Sequence, residues 1–302
     1  MDLHDATSNF GSDASNFRTY IGTQYLKYGA AYYPRLKTAL IYNDASVKIT
    51  YTNGQNGNIT TVIGAGRTLA EIIELAEDVD AVDYATVGVH LSTFLTEQLG
   101  DIRNKIAEQD IILSPAATMA GVYANVDRDR GVWKAPANVS IGNVREPEYK
   151  LNNTDQEGFN VDTSGKSINV IRSFNGKGTI VWGARTLAGN DNEWRYVPVR
   201  RLFITAEESI KKATEFVVFE PNDKTTWQRT RVMIENYLTV LWRQGALAGA
   251  KPADAFFVNV GLGQTMTAQD ILEGKLIIEV GMAAVRPAEF IILNFSHKLQ
   301  ES

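Results

Sequence analysis

The sequence predicts an α/β protein, with α+β as the near alternative, built as a mixed sheet flanked by helices. Three observations carry this. Helix-like and strand-like segments alternate along the chain, the helical segments repeat apolar residues at spacings of three and four, and the strand-like ones are short, β-branched and bounded by turn residues.

Residues 1–16 are small and polar (Ser8, Asn9, Gly11, Ser12, Ser15, Asn16), so a linker is expected there. Tyr20–Tyr33 is rich in tyrosine and small residues, and after Pro34 the stretch Leu36–Tyr42 has strand composition. Val47, Ile49 and Tyr51 alternate up to a turn at Asn53-Gly54, and Ile59–Ile63 resumes, which predicts a hairpin. Leu69, Ile72, Ile73 and Leu75 recur at helical spacing, with Glu71, Glu74, Glu77 and Asp78 opposite. A second helix is expected over Thr86–Glu108. Ile111–Leu113 is a short apolar run ended by Ser114-Pro115, and Thr118–Ala124 is small and apolar. Asn143–Gly165 is polar enough to predict exposed surface.

Three strand-like runs follow, Ser167–Ile171, Thr179–Ala184 and Arg195–Thr205, then a short helix over Glu207–Phe216. The clearest helix is Thr225–Gly245, carrying Val232, Ile234, Tyr237, Leu238, Leu241 and Trp242, opened by Asp223 and closed by Gly245. Phe256–Val260, Lys275–Val285 and Phe290–Leu299 complete the chain as strands.

Composition excludes several functions. The 302 residues hold 30 Lys plus Arg against 35 Asp plus Glu, a net charge of −5, with no long basic run. Nucleic-acid binding would require clustered cations, so none is expected. Cysteine is absent and only three histidines occur, His4, His90 and His297, with no paired ligand spacing. No metal site or thiol chemistry is expected. The start lacks the basic and apolar regions of a secretory signal, and the most apolar stretch, Leu276–Val285, is about half a membrane span.

Nucleotide-loop signals are weak. Ile63-Gly64-Ala65-Gly66 lies between strand-like and helix-like segments, but Leu69 stands where a dinucleotide fingerprint needs its third glycine, so a tight turn is the simpler reading. Gly165-Lys166-Ser167 ends like a phosphate loop, but Asn160 replaces the earlier glycine and a strand follows, which leaves a polar turn with Lys166 in solvent. A nucleotide- or sugar-phosphate-binding enzyme using Gly64–Gly66 stays as the alternative function. No nucleophile elbow is present.

The densest stretch runs from Ser114 to Asn138. Small residues from Ala116 to Gly121 allow close packing, Asp127–Arg130 alternate in charge, Gly131 allows a sharp turn, and Trp133 is a large anchor. This stretch resembles the signature of contractile tail sheath proteins of phage tails, R-type bacteriocins and extracellular injection systems, matched by Asp127, Arg130, Gly131, Val132, Trp133, Lys134, Ala135, Pro136, Ala137 and Asn138. Ala30–Pro34 resembles the family's Tyr-Tyr-Pro strand entry, with Arg35 where a Trp is common. Val181-Trp182-Gly183-Ala184-Arg185-Thr186 resembles its Trp-Gly-Ala-Arg-Thr strand, Tyr196–Arg201 the segment after it, and Arg286–Ile291 its C-terminal strand entry. The family's N-terminal arm signature is not seen, which suggests a truncated or excised chain.

The resemblance implies a structural subunit, not an enzyme. It would need no cofactor, polymerise helically around an inner tube, and drive the tube's ejection as the lattice passes from extended to contracted. Its implied partners are copies of itself, the inner tube protein, and baseplate and terminator proteins, with no nucleic acid and no direct membrane insertion. Its implied location is the cytoplasm of the producing bacterium during assembly, then a virion tail or released particle.

The expected organisation is a linker or truncated end over 1–29, a sheath core over 30–187 and a C-terminal region over 188–302 with a terminal arm from about 287. In that arm Ile291, Leu293 and Phe295 alternate with Phe290 and Ile292, and such a strand could complete another subunit's sheet. Its place in its own domain's sheet is an equal alternative on sequence alone. The acidic face at Glu71–Asp78 and the basic positions Arg200, Arg201, Lys211 and Lys212 are candidate lateral contacts, and Asp270, Glu273 and Lys275 candidate tube contacts.

Overall fold

The computed structural model describes residues 10–41, 71, 99–160 and 162–289. These fall into two compact units. One holds the chain up to Pro34, Ser114–Ile141 and the residues from Tyr149 on; the other holds Arg35–Leu113 and Gly142–Glu148. The expected hairpin, the Gly64–Gly66 turn, the acidic face beyond Glu71 and the strand from Phe290 lie outside the described residues.

In the larger unit the first elements are helix α1 (Phe10–Tyr20) and strand β1 (Ala31–Tyr33). The smaller unit contributes β2 (Leu36–Thr38), helix α2 (Leu99–Glu108) and β3 (Ile112–Leu113). The chain then forms α3 (Pro115–Arg130) and β4 (Val139–Ser140), and returns to the smaller unit for β5 (Val144–Pro147). Next come α4 (Asn153–Asn160), β6 (Ile168–Phe174), β7 (Gly178–Trp182), α5 (Val197–Ala213) and α6 (Lys224–Arg243). Last are α7 (Pro252–Ala255), β8 (Phe256–Val260), α8 (Ala268–Leu272) and β9 (Ile278–Met282).

The smaller unit is an antiparallel sheet in the order β3-β2-β5, with Leu36 opposite Leu113 on one side and Pro147 on the other. Leu36 is fully buried. Cross-strand ion pairs support the register: Arg35 grips Glu148 through two bonds of 2.9 and 3.0 Å, and Lys37 donates to Glu146 at 3.0 Å.

The larger unit has a mixed sheet in the order β1-β6-β7-β4, in which β1 runs parallel to β6 and the other pairs are antiparallel. Ile168, Val170, Tyr33, Leu151, Phe159, Ala14 and Phe17 form one core, with Tyr33 stacked on Phe159 at 5.0 Å. A second core joins Leu202 of α5, Ile234, Leu238 and Leu241 of α6, and Val258 of β8. The expected cap of the long helix is present, since the Asp223 carboxylate accepts from the Thr226 amide at 2.9 Å.

Three local expectations are corrected, and one stretch that had no expected secondary structure is assigned. Residues 10–20 form a helix, because Ala14 and Phe17 have a core to enter. The small-residue stretch after Ser114 is helical, started by Pro115 in its first turn and buried through Met119, Val122 and Val126. Within the supposedly exposed 143–165, Leu151 and Phe159 are core residues. Arg195–Thr205, expected as a strand, lies mostly in α5: Pro198 starts the helix, and Val199, Leu202 and Ala206 give it a buried stripe at spacings of three and four.

Candidate functional site

Helix α3 ends at Gly131, whose amide donates to the carbonyls of Val126 and Asp127, both at 3.1 Å. Its φ of 93° lies in the region that glycine alone adopts readily. A Cβ there would sit 2.5 to 2.7 Å from three atoms of the Trp133 indole. The missing side chain therefore lets Trp133 fold back over the helix end and, with Val132, pack against the second core. No acceptor faces the buried Trp133 Nε1 among the described residues, so packing alone holds the ring.

Of the other signature residues, Asp127 receives two bonds from Arg201, at 2.8 and 2.5 Å, a forked pair that ties α3 to α5. The Arg201 guanidinium lies 4.6 Å from the Tyr123 ring centre, and the Tyr123 hydroxyl meets that of Tyr32 at 2.7 Å. Burial raises the pKa of both phenols, well above the ordinary value for Tyr32, so the pair stays neutral. Pro136 is buried, while Arg130, Lys134 and Asn138 face solvent. Asn138 adopts φ 54° and its amide donates to the Val181 carbonyl at 2.8 Å, which starts β4. Trp182 is partly exposed and lies 4.9 Å from Phe174.

Arg200 corrects its assignment as a surface contact. It is buried, with its guanidinium 4.8 Å from the Tyr28 ring centre and 4.6 Å from that of Trp194, and it reaches Glu207 at 3.1 Å. Lys211 and Lys212 do face solvent. Lys166, expected in solvent, is buried too, and its ammonium donates to the Arg18 carbonyl.

The second constellation joins Arg185 to Glu289, the last described residue. Arg185 Nε donates to both carboxylate oxygens at 2.9 and 3.0 Å, and Nη2 adds a 2.6 Å bond. The Asn160 amide donates to the same carboxylate at 3.0 Å and the Tyr196 hydroxyl at 3.3 Å. Burial works against the Glu289 charge, but these donors outweigh it and hold the carboxyl below its ordinary pKa. The Arg185 backbone is fixed in turn by Asn169, which accepts from its amide at 2.7 Å and donates to its carbonyl at 2.8 Å. Gly183 is needed beside it, since a Cβ would lie 2.8 Å from the Asn169 side-chain oxygen. The pairing, 104 residues apart in sequence, has no local signal; its only trace is that both residues sit in segments that resemble the sheath family.

The three candidate tube contacts have bonds within their own loop. Asp270 closes a capping box with Thr267 at the start of α8, and those donors lower its pKa against slight desolvation. Glu273 accepts from Lys275 at 2.6 Å and from Gln269 at 2.9 Å. The described residues contain no group of three or more acidic or histidine side chains placed to hold a metal, and no helix long and apolar enough to cross a membrane.

Residues 189–298 match the phage tail sheath C-terminal domain. The tail sheath protein of Vibrio phage KVP40 is 23% identical over 182 residues, 60% of this chain and 26% of that protein, and that of Salmonella phage ViI is 26% identical over 138 residues, 44% of this chain and 21% of that protein. Among solved structures, the contracted sheath complex of the extracellular contractile injection system PVC is 54% identical with a TM-score of 0.60, covering 63% of this chain and 52% of its own. The contracted helical sheath of the anti-feeding prophage gives 53% and 0.58, again covering 63% and 52%. The chain thus spans about half the length of these sheath structures and about a quarter of the curated relatives. A C-terminal domain matched over residues 189–298, an α/β fold shared at half identity with contracted sheath subunits and the signature that closes α3 together support a contractile tail sheath protein.

Proposed function

We propose that this protein is a structural subunit of a contractile sheath that assembles helically around an inner tube and ejects it through an extended-to-contracted lattice transition, with no catalytic step. The observation that carries this reading is the likeness, at half identity, to sheath subunits in the contracted state. The work would come from exchanging one set of lateral contacts for another of lower free energy across a barrier. Surface charges such as Lys211 and Lys212 are natural contributors; singly an exposed pair is worth about 0 to 1 kcal/mol, and a lattice repeats it in every subunit.

Neighbours that rotate must stay tethered, and the segment Phe290, Ile291, Ile292, Leu293 and Phe295 suits that task as a strand donated to another subunit. The β8–β9 ribbon of the same chain is a candidate acceptor. Strands β8 and β9 form a two-stranded sheet of five paired residues whose outer edges carry no further strand among the described residues. Such an open ribbon gains from strand addition, which satisfies its unpaired backbone groups.

The test is electron microscopy of the full-length protein. Hollow tubules are expected from the parent sequence, and soluble, folded, unassembled subunits from a variant carrying Ile292→Pro and Leu293→Pro, because proline removes the donor N–H groups of the added strand. Tubules that persist in the variant would exclude strand exchange through this segment. A full-length parent that never polymerises would exclude the sheath reading itself.

A further inference from the structure

Helix α4 ends in three carbonyls, those of Gly158, Phe159 and Asn160, that a helix of its own cannot satisfy. Two guanidiniums distant from each other in sequence take them. Arg18 of α1 donates to the Gly158 and Phe159 carbonyls at 2.8 and 3.1 Å, to the Lys166 carbonyl at 2.9 Å, and pairs with Asp162 at 3.2 Å. Arg185 reaches the Asn160 carbonyl at 3.4 Å while gripping Glu289. The Asn160 side chain bonds Glu289 directly, and Ser167 donates to the Asn160 carbonyl at 2.7 Å. Cations at a helix C-terminus also complement its partial negative charge. Both guanidiniums are buried, Arg18 at 7% exposure and Arg185 at 4%.

We propose that the C-terminal end of α4 is a shared tether that positions both α1 and Glu289, so that load on the segment after Glu289 is resisted by the same bonded cluster that holds α1. Arg18, Asn160, Arg185 and Glu289 are its positioning residues. A forked, charge-assisted cluster of this kind fixes direction as well as position, because each bond is angular. Members of one network lose their bonds together, which couples α1 and Glu289. The proposal rests on the reading that the segment after Glu289 engages a neighbour, but the coupling itself is a property of the single chain.

Hydrogen exchange read by mass spectrometry on the full chain tests it. Glu289→Gln, which keeps the shape and leaves Arg185 without a counter-charge, is expected to speed exchange about tenfold or more in residues 283–289 and also in 10–20. Arg18→Gln is expected to loosen the same two peptides. Asn160→Ala, which removes one bond and no charge, gives a smaller effect of the same pattern and serves if the charge variants fold poorly. Asp127→Asn, outside the cluster, is expected to leave both peptides unchanged. The proposal is overturned if each variant loosens only its own peptide, if neither peptide responds, or if β6 and β7 open in parallel, which would mean general destabilisation. Any of these leaves the sheath reading standing, since that reading depends on polymerisation.

Discussion

Replacing Gly131 by alanine separates two costs that the geometry keeps distinct. The first is conformational: an L-residue held at φ 93° carries strain of about 1 to 3 kcal/mol. The second is steric, because the new Cβ would lie 2.5 Å from the nearest Trp133 carbon and the ring must move. Displacing a packed ring adds about 1 to 3 kcal/mol, and no hydrogen bond to the indole nitrogen opposes the movement. The sum is about 2 to 6 kcal/mol. Gly176 supplies the control. It sits in the β6–β7 turn at φ 77° with nothing within 4 Å of its would-be Cβ, so Gly176→Ala carries the first cost alone. Urea unfolding followed by tryptophan fluorescence gives both values at a comparable slope. Gly131→Ala is expected to exceed Gly176→Ala by at least about 1 kcal/mol and to shift the native emission spectrum. Equal losses with an unchanged spectrum would refute the claim that glycine is required here to seat Trp133.

Asp127→Asn is expected to cost about 1 to 2 kcal/mol, since the forked pair with Arg201 is only partly screened; a double-mutant cycle with Arg201→Gln should give a coupling of similar size by urea unfolding. Acid should loosen the region around Glu289. The Glu289 carboxyl is held below its ordinary 4.5, so its contribution is complete above that value and disappears as pH falls through the lower folded value. Proteolysis after residue 283 should rise over that acid window in the parent and show no such step in Glu289→Gln. Arg185→Lys keeps the charge and loses the fork, so it should leave the fold cooperative while raising exchange at 283–289; exchange as slow as the parent's would mean that charge alone suffices. For the candidate tube contacts, reversing Glu273 and Lys275 together keeps their mutual attraction and the Thr267 bonds of the Asp270 cap, while it removes the weaker Lys275–Asp270 attraction at 3.9 Å and the Gln269 bond to Glu273. Reduced co-sedimentation with tube protein is expected, and unchanged attachment would remove this loop from the tube interface.

Much of the fold was legible where one signal dominated. β6, β7 and β8 were visible as short β-branched runs, and α6 through its apolar repeat and the Asp223 cap. Helix α5 was hidden because Val197, Val199, Phe203, Ile204 and Thr205 favour a strand by type, whereas Val199, Leu202 and Ala206 mark a helix by period, and burial followed the period. Helix α3 was hidden for the opposite reason: its small residues leave little hydrophobic contrast around the helix. In the site, Gly131 and Trp133 were found locally, since the turn and the anchor are two residues apart. The pairings of Asp127 with Arg201 and Arg185 with Glu289 were not, because each joins segments distant in sequence. Lys166 and Arg200 show the general difficulty. A charged residue is expected in solvent unless its partner is known, and here the partners are a main-chain carbonyl 148 residues away and two aromatic rings.

The chain uses apolar packing and polar clamps for different tasks. Leu202, Ile234, Leu238 and Val258 hold α5, α6 and β8 together by burial, which is strong but tolerates small sliding because dispersion contacts have little directional preference. Where orientation is fixed, the structure uses forked guanidinium–carboxylate bonds: Arg201 to Asp127 between α5 and α3, and Arg185 to Glu289. Burying Arg185 carries a desolvation cost that apolar side chains would avoid. That cost is consistent with a need for orientation more than for stability, since an apolar substitute of equal volume would hold the segment without fixing its direction. On the proposed sheath reading, a donated strand would reach its acceptor through a large rotation only if it left a fixed root, and the free energy of contraction would act on the lattice only if that root yielded less readily than the lateral contacts.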